Sequence, residues 1–236
     1  CTKRVINLKR REDRKALFYS TLPNSIRDTI PFIAFDGNKT EFYSSFDWSI
    51  VPYRDYDTLF EGNDFEDKPT VKANALGHLT LWSKCSKGTV PFLVMEDDVE
   101  FSPEWEDHYS TVLKQVNTLP MDFLYLGGGD LLPCHTNAIG SIRKQAEREH
   151  VTDEVVKGVG IIKKRSVYFH GMLQCYCITP EGAKKLLDFA NRAGITKAID
   201  SWIKDYYDYL DVYCSVPLIA FSRRKVTDEC MNTQNF

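Results

Sequence analysis

Short apolar runs that stop at polar or glycine-rich clusters, each followed by a helical pattern, constrain this chain more than any other feature. Residues 91–95 (PFLVM) are the clearest case. A run apolar at every position suits a strand covered on both faces, and this one ends directly in Glu96-Asp97-Asp98. Residues 5–8 (VINL) and 32–35 (FIAF) read the same way. The first leads into a half-exposed helical pattern over 11–22, and the second stops at Asp36-Gly37-Asn38, a strong turn signal. Residues 122–126 return as a strand ending in Gly127-Gly128-Gly129-Asp130, and 167–169, 173–178 and 212–216 complete the set. This alternation predicts an α/β fold with a Rossmann-like, mainly parallel sheet flanked by helices, where ligands gather at the carboxyl ends of strands. Asp36, the Glu96 cluster and the Gly127 to Asp130 turn all fall at such ends, which predicts one shared mouth.

The helices carry their own boundary signals. Pro69 favours a start, after which Val71, Ala75, Leu79 and Trp82 recur at helical spacing, with His78 on the same element and Gly88 as a stop. Ser102-Pro103-Glu104 reads as an N-cap followed by proline at the first helical position, and Trp105, Tyr109, Val112 and Val116 mark a buried stripe. Thr179-Pro180-Glu181 repeats that signature for a helix closed by Gly194, and residues 199–210 suggest one more. Residues 38–69 and 131–165 lack a sustained period and are expected to be irregular excursions from a single domain over 1–236. In the first of them, Tyr43, Phe46, Trp48, Tyr53 and Tyr56 form either an acceptor wall or a small core of their own.

Composition closes off several function classes. With 236 residues, 43% hydrophobic and 27% charged, the chain has the make-up of a globular domain. A net charge of −3 lacks the basic excess of a protein that neutralises many phosphates, so no nucleic-acid partner is expected. No window approaches the ~18 consecutive apolar residues of a membrane span, and the opening CTKRVINLKRRED lacks a signal-peptide core. The chain opens without methionine, so a targeting segment outside it stays possible and cytoplasm and secretory-pathway lumen both remain open. The seven cysteines show no C-x-x-C pair of the kind zinc sites use. Cys175 and Cys177, two apart in an apolar run, are expected on one strand face as core residues.

If the strand stays extended through residue 98, its period of two sets Glu96 and Asp98 on one side and Asp97 on the other. Two such carboxylates repel at neutral pH unless protons or a cation intervene, and hard oxygens suit Mg²⁺ or Mn²⁺ that also hold phosphate. The competing account is an exposed acidic turn. Position after a wholly apolar strand favours the ligand site.

Taken in order, VINLKRREDR, ALGHLTLW, FLVMEDDV, DFLYLGG, TPEGAKKLL and AIDSW resemble glycosyltransferase family 25, which includes lipopolysaccharide β-galactosyltransferases and collagen hydroxylysine galactosyltransferases. The resemblance runs from about residue 3 to residue 228 and weakens across the two excursions. It implies a GT-A fold, a UDP-galactose or UDP-glucose donor, Mn²⁺ or Mg²⁺, and inversion at the anomeric carbon. The implied acceptor is a hydroxyl of a collagen-like peptide or a glycan. It assigns the metal to Glu96 and Asp98, with Asp97 in support. The nucleotide falls near Asn7, Leu8, Arg11 and Arg14, with Arg11 or Arg14 available to phosphate.

Asp36 and Gly37 match the family's Asp-Gly turn, where a carboxylate accepts from uracil or ribose; a turn-capping role is the alternative. His78 matches the histidine of a Ser-His pair and is placed by the resemblance among the donor-binding residues, although Gly77 replaces the serine and Ala73-Asn74 replace a usual Gly-Cys; its alternative is to anchor its helix. Asp200 in AIDSW is the candidate base for the acceptor proton, with a helix N-cap as the alternative. No histidine follows His170, so a late metal ligand falls to a carboxylate, water or donor oxygen. Asp228 matches the aspartate of a C-terminal Ser-Asp pair, with Thr227 in place of serine. Asp130 is placed against the donor sugar. Two rival functions use the same residues: a non-catalytic nucleotide-sugar or glycan-binding module, and a metal-dependent phosphohydrolase or nucleotidyltransferase.

Overall fold

The computed structural model describes residues 1–127, 159–161, 172–215 and 218–223. The chain opens with β1 (Thr2–Asn7), turns through α1 (Glu12–Ser20) and returns in β2 (Ile30–Ile33), parallel to β1. The first excursion contains two 3-10 turns, Phe42–Ser45 and Trp48–Ile50, and the one-turn helix α2 (Tyr56–Leu59). A reciprocal capping box between Asp55 and Thr58 fixes where α2 starts. The long helix α3 (Pro69–Ser86) begins with proline at its first turn, as its sequence signal predicts. Then β3 (Phe92–Glu96) lies parallel to β1 on the side away from β2. Beyond it come β4 (Val99–Phe101), α4 (Trp105–Val116), β5 (Phe123–Tyr125), β6 (Val159–Ile161) and β7 (Cys175–Ile178). The last elements are α5 (Pro180–Ala193), α6 (Ile199–Lys204), β8 (Val212–Ser215) and β9 (Ala220–Ser222).

Seven strands form one sheet in the order β2-β1-β3-β7-β5-β8-β6, and β4 pairs antiparallel with β9 as a separate ribbon. Strands β1, β2, β3, β5 and β8 share one direction, while β6 and β7 oppose it. The mainly parallel, Rossmann-like α/β architecture expected from the alternation is therefore the one observed. Cores cover both faces. On one side Leu76, Leu79 and Trp82 of α3 and Leu186 of α5 meet Val94 and Tyr176; on the other, Phe18, Trp105 and Val112 meet Leu93, Met95, Cys175 and Cys177. Successive residues of β3 thus enter opposite cores, which is why that strand is apolar throughout. Cys175 and Cys177 share a face, and burial pushes both thiols well above their ordinary range.

Several boundaries differ from the sequence expectation, each for a local reason. The second strand runs Ile30–Ile33 rather than 32–35 and lies at the sheet edge, where Ile30 and Ile33 remain half exposed. Helix α4 starts at Trp105 because Ser102 first closes a turn: its Oγ accepts from the Glu104 amide at 3.2 Å and its carbonyl from the Trp105 amide at 3.0 Å. Helix α6 stops at Lys204, and a 3-10 turn at Tyr207–Tyr209 replaces the rest of the expected helix. Strands β4, β6 and β9 lacked a sequence signal, and 167–169 lies outside the described residues. The aromatics of the first excursion pack as a small core: Tyr43 stacks on Tyr56 with centroids 3.9 Å apart, and Phe46 meets Trp48 at 4.8 Å. Lys72 of α3 caps this cluster 4.7 Å above the Tyr56 ring, while Tyr53 points outward.

The start of α5 shows how closely these layers approach. Thr179 caps the helix by accepting from the Gly182 amide at 3.1 Å, and a Cβ on Gly182 would stand 2.3 Å from the Asp122 carbonyl oxygen. Lys185 locks the same junction with a 2.6 Å bond to Asp122. Gly182→Ala is expected to destabilise the fold by about 1–3 kcal/mol, the usual cost of overpacking, because backbone and not a flexible side chain must yield. Denaturant titration checks this, and unchanged stability would contradict the close approach. Among the described residues, no helix is long and apolar enough to cross a membrane.

Candidate active site

Strands β1 and β3 run side by side with Ile6 opposite Glu96, so their carboxyl ends open at one level. A cleft of about 850 Å³ lies there, lined among others by Leu8, Arg10, Arg14, Asp36, Gly37, Lys68, Glu96, Asp97, Asp98, Gln174 and Asp200. The α/β fold thus gathers these polar residues from six separate stretches of chain at the place where such sheets hold ligands.

The acidic cluster is built differently from the extended-strand expectation. Strand β3 ends at Glu96, and Asp97 and Asp98 form a turn into β4, so the period-two argument for opposite facing does not apply. All three carboxylates line the cleft. Asp97 accepts from Asn7 Nδ2 at 2.7 Å and from Arg14 Nη1 at 3.2 Å, and the same Arg14 nitrogen lies 3.8 Å from Asp98 Oδ2. Asn7, buried at the end of β1, therefore acts through Asp97. Arg14 is held by carboxylates and Arg11 is turned onto Asp13, at 2.8 and 2.6 Å.

At the opposite wall, Asp36 pairs with Arg10 at 2.9 Å and accepts from the Asn38 amide at 3.2 Å. Burial opposes its ionisation, but the Arg10 hydrogen bond, the Asn38 amide and nearby positive charge hold its carboxyl below the usual range. Gly37 permits the turn to touch α3, since a Cβ there would meet the Pro69 carbonyl oxygen at 2.5 Å. Asp200 reaches the cleft from the first turn of α6. The N-cap of that helix is Ala198, so the capping alternative for Asp200 is not met. His78 is fully buried behind the cleft, with Nε2 3.7 Å from Glu96 Oε1. Asp130 and Asp228 lie outside the described residues.

Sequence reasoning passed over Arg10, Lys68 and Gln174. Gln174 precedes β7, and its carbonyl accepts from the Glu96 amide at 2.9 Å. Its buried Oε1 lacks a hydrogen-bond partner among the described residues. A glutamine inside the core-bound run LQCYCI was the available signal.

Among the described residues, no group of three or more His, Cys, Asp or Glu is arranged to hold a metal ion by itself. The cleft lining nevertheless carries six carboxylates (Asp36, Asp64, Glu96, Asp97, Asp98 and Asp200) against three cationic side chains (Arg10, Arg14 and Lys68). That negative surplus suits a hard cation shared between one or two carboxylates and a ligand's phosphate oxygens, the mode Mg²⁺ commonly takes. Glu96 and Asp98 both belong to that lining.

Fold and cleft together define a Rossmann-like α/β protein with an acidic cleft at the carboxyl ends of its parallel strands. The sequence matches Glycosyltransferase family 25 (LPS biosynthesis protein) over residues 2–203, and the chain belongs to that family. Over 118 residues it is 30% identical to a protein of Acanthamoeba polyphaga mimivirus named "Putative glycosyltransferase". The matched segment covers 48% of this chain and 33% of that protein, so the chain spans about a third of the relative's length.

Proposed function

We propose that the chain transfers a hexose, galactose by preference and glucose as the other candidate, from a UDP-sugar to an acceptor hydroxyl with inversion. The observation that carries this reading is the meeting of Asp36, the Glu96 to Asp98 cluster and Asp200 in one cleft. An anionic nucleotide diphosphate would be repelled by that lining unless a cation accompanies it. When bound, Mn²⁺ or Mg²⁺ supplies charge neutralisation for the departing UDP, and Glu96 and Asp98 are the residues that hold it.

Around that point the side chains divide the work. Asp36 and the Gly37 turn receive the nucleoside beside Leu8. Asn7 and Arg14 fix Asp97, and Arg14 also restrains Asp98, so the acidic turn keeps its shape as ligands enter. Asp200 takes the proton of the acceptor hydroxyl while that oxygen bonds to the anomeric carbon and the bond to UDP breaks on the opposite face. Asp130 against the donor sugar and Asp228 as a late ligand belong to the same proposal. The family's lipopolysaccharide description favours a glycan acceptor; a collagen-like hydroxylysine is the second candidate.

Incubation with UDP-galactose or UDP-glucose, an array of glycans and hydroxylysine peptides, and either Mn²⁺ or EDTA tests the reading. Free UDP and an acceptor gaining one hexose mass are expected with Mn²⁺, and both should vanish with EDTA. Hexose-1-phosphate plus UMP would instead mark a phosphohydrolase or nucleotidyltransferase, and binding without turnover a recognition module.

A further inference from the structure

His78 has no exposed surface, yet nothing in apolar packing requires an imidazole there. Its Nδ1 lies 2.8 Å from the Tyr176 hydroxyl, and Trp82 Nε1 donates to the same hydroxyl at 3.0 Å. His78 and Trp82 stand four residues apart on one face of α3, and Tyr176 is held by stacking on Phe123 with centroids 4.7 Å apart. Indole nitrogen only donates, so the Tyr176 oxygen accepts from Trp82 and its single proton must go elsewhere. Burial keeps that phenol protonated far above its ordinary range, and His78 Nδ1 is the acceptor beside it. With Nδ1 accepting, the imidazole hydrogen resides on Nε2. That atom is buried, lacks a hydrogen-bond partner among the described residues, and stands 3.7 Å from Glu96 Oε1. A buried donor left unmade is costly, and a small rotation of the partly exposed Glu96 side chain closes the gap.

We infer that His78 is a positioning residue for Glu96: Trp82, Tyr176 and His78 form a directed line of donors that ends on Oε1 and leaves the second carboxylate oxygen to the cleft. The inference rests on Glu96 serving the donor site as proposed above. Three elements, α3, β7 and β3, converge on this line, so the carboxylate is aimed by the fold rather than by ligand. Supports of this kind behind a ligating group typically alter metal affinity by about 10–100-fold when removed.

Titration calorimetry of Mn²⁺ into the folded chain with UDP present, beside thermal midpoints, tests it. Tyr176→Phe keeps the ring and removes only the hydroxyl. It is expected to weaken Mn²⁺ binding about 10-fold, and His78→Phe by up to about 100-fold. His78→Gln, whose amide nitrogen extends toward the Nε2 position, should recover part of the loss. If His78→Phe fails to fold, Tyr176→Phe and His78→Gln still decide the matter. Wild-type Mn²⁺ affinity in both, with only the thermal midpoint lowered, would reduce the line to a core anchor. Absence of Mn²⁺ binding in the wild type would overturn the donor-site reading itself, and this inference with it.

Discussion

Asp98→Ala should lower Mn²⁺-dependent UDP release from UDP-galactose by about 10²- to 10³-fold, the loss of roughly 3–4 kcal/mol of charge stabilisation at the leaving diphosphate. The magnitude follows from where Asp98 sits. It lines the cleft on the turn after β3, and its removal leaves Glu96 as the remaining proposed ligand from this acidic cluster, in a set that a hard cation shares with phosphate. Arg14 keeps its 3.2 Å bond to Asp97 in the variant, so the turn retains its main restraint. Asp97 is the poorer target, because its loss would strip partners from both Asn7 and Arg14 and act through the fold. Turnover, Mn²⁺ affinity and thermal midpoint should be measured together. A drop in the first two at a near-constant midpoint supports the assignment, whereas undiminished metal-dependent turnover removes Asp98 from the site.

The sequence made most of this legible wherever burial and periodicity act on the same residues. Strand β3 announced itself because both its faces enter cores, and α5 because Thr179, Pro180 and Gly194 each serve the boundary role their chemistry favours. Expectation failed where tertiary contacts decide. Strand β4 exists because β9, more than a hundred residues later, pairs with it, and no local pattern in Val99–Phe101 encodes that partner. Likewise β7 runs against its neighbours β3 and β5, a reversal that a list of apolar runs does not contain.

The site divides in the same way. Residue type and position at strand ends were enough to nominate Asp36, Glu96, Asp97 and Asp98, and the family resemblance of AIDSW nominated Asp200; all five reach one cleft. Facing was not readable, because the backbone leaves the extended conformation after Glu96 and alternation ceases to apply. Nor was the partner of each arginine: Arg10, Arg11 and Arg14 lie within five positions and bind Asp36, Asp13 and Asp97 in turn. Those choices depend on which acids the fold brings near. Gln174 escaped notice because its role comes from standing beside Glu96 across strands distant in sequence.

Asp200→Asn separates the two demands on the cleft, holding the donor and activating the acceptor. A positioned base typically contributes about 10²- to 10⁴-fold, and the variant is expected to lose kcat on that scale while its KM for the UDP-sugar and its Mn²⁺ affinity stay near wild type. The substitution is mild structurally. The Asp200 carboxylate accepts from the Ser201 amide at 2.8 Å, a bond that an asparagine carbonyl oxygen preserves, and Ala198 rather than Asp200 holds the cap position. What asparagine cannot do is accept the acceptor hydroxyl's proton as the new glycosidic bond forms. A loss of kcat alone therefore assigns Asp200 to the transition state. Raised donor KM with kcat intact would place it in uniform binding of the sugar instead, and turnover within a few-fold of wild type would move the base to another side chain facing the cleft.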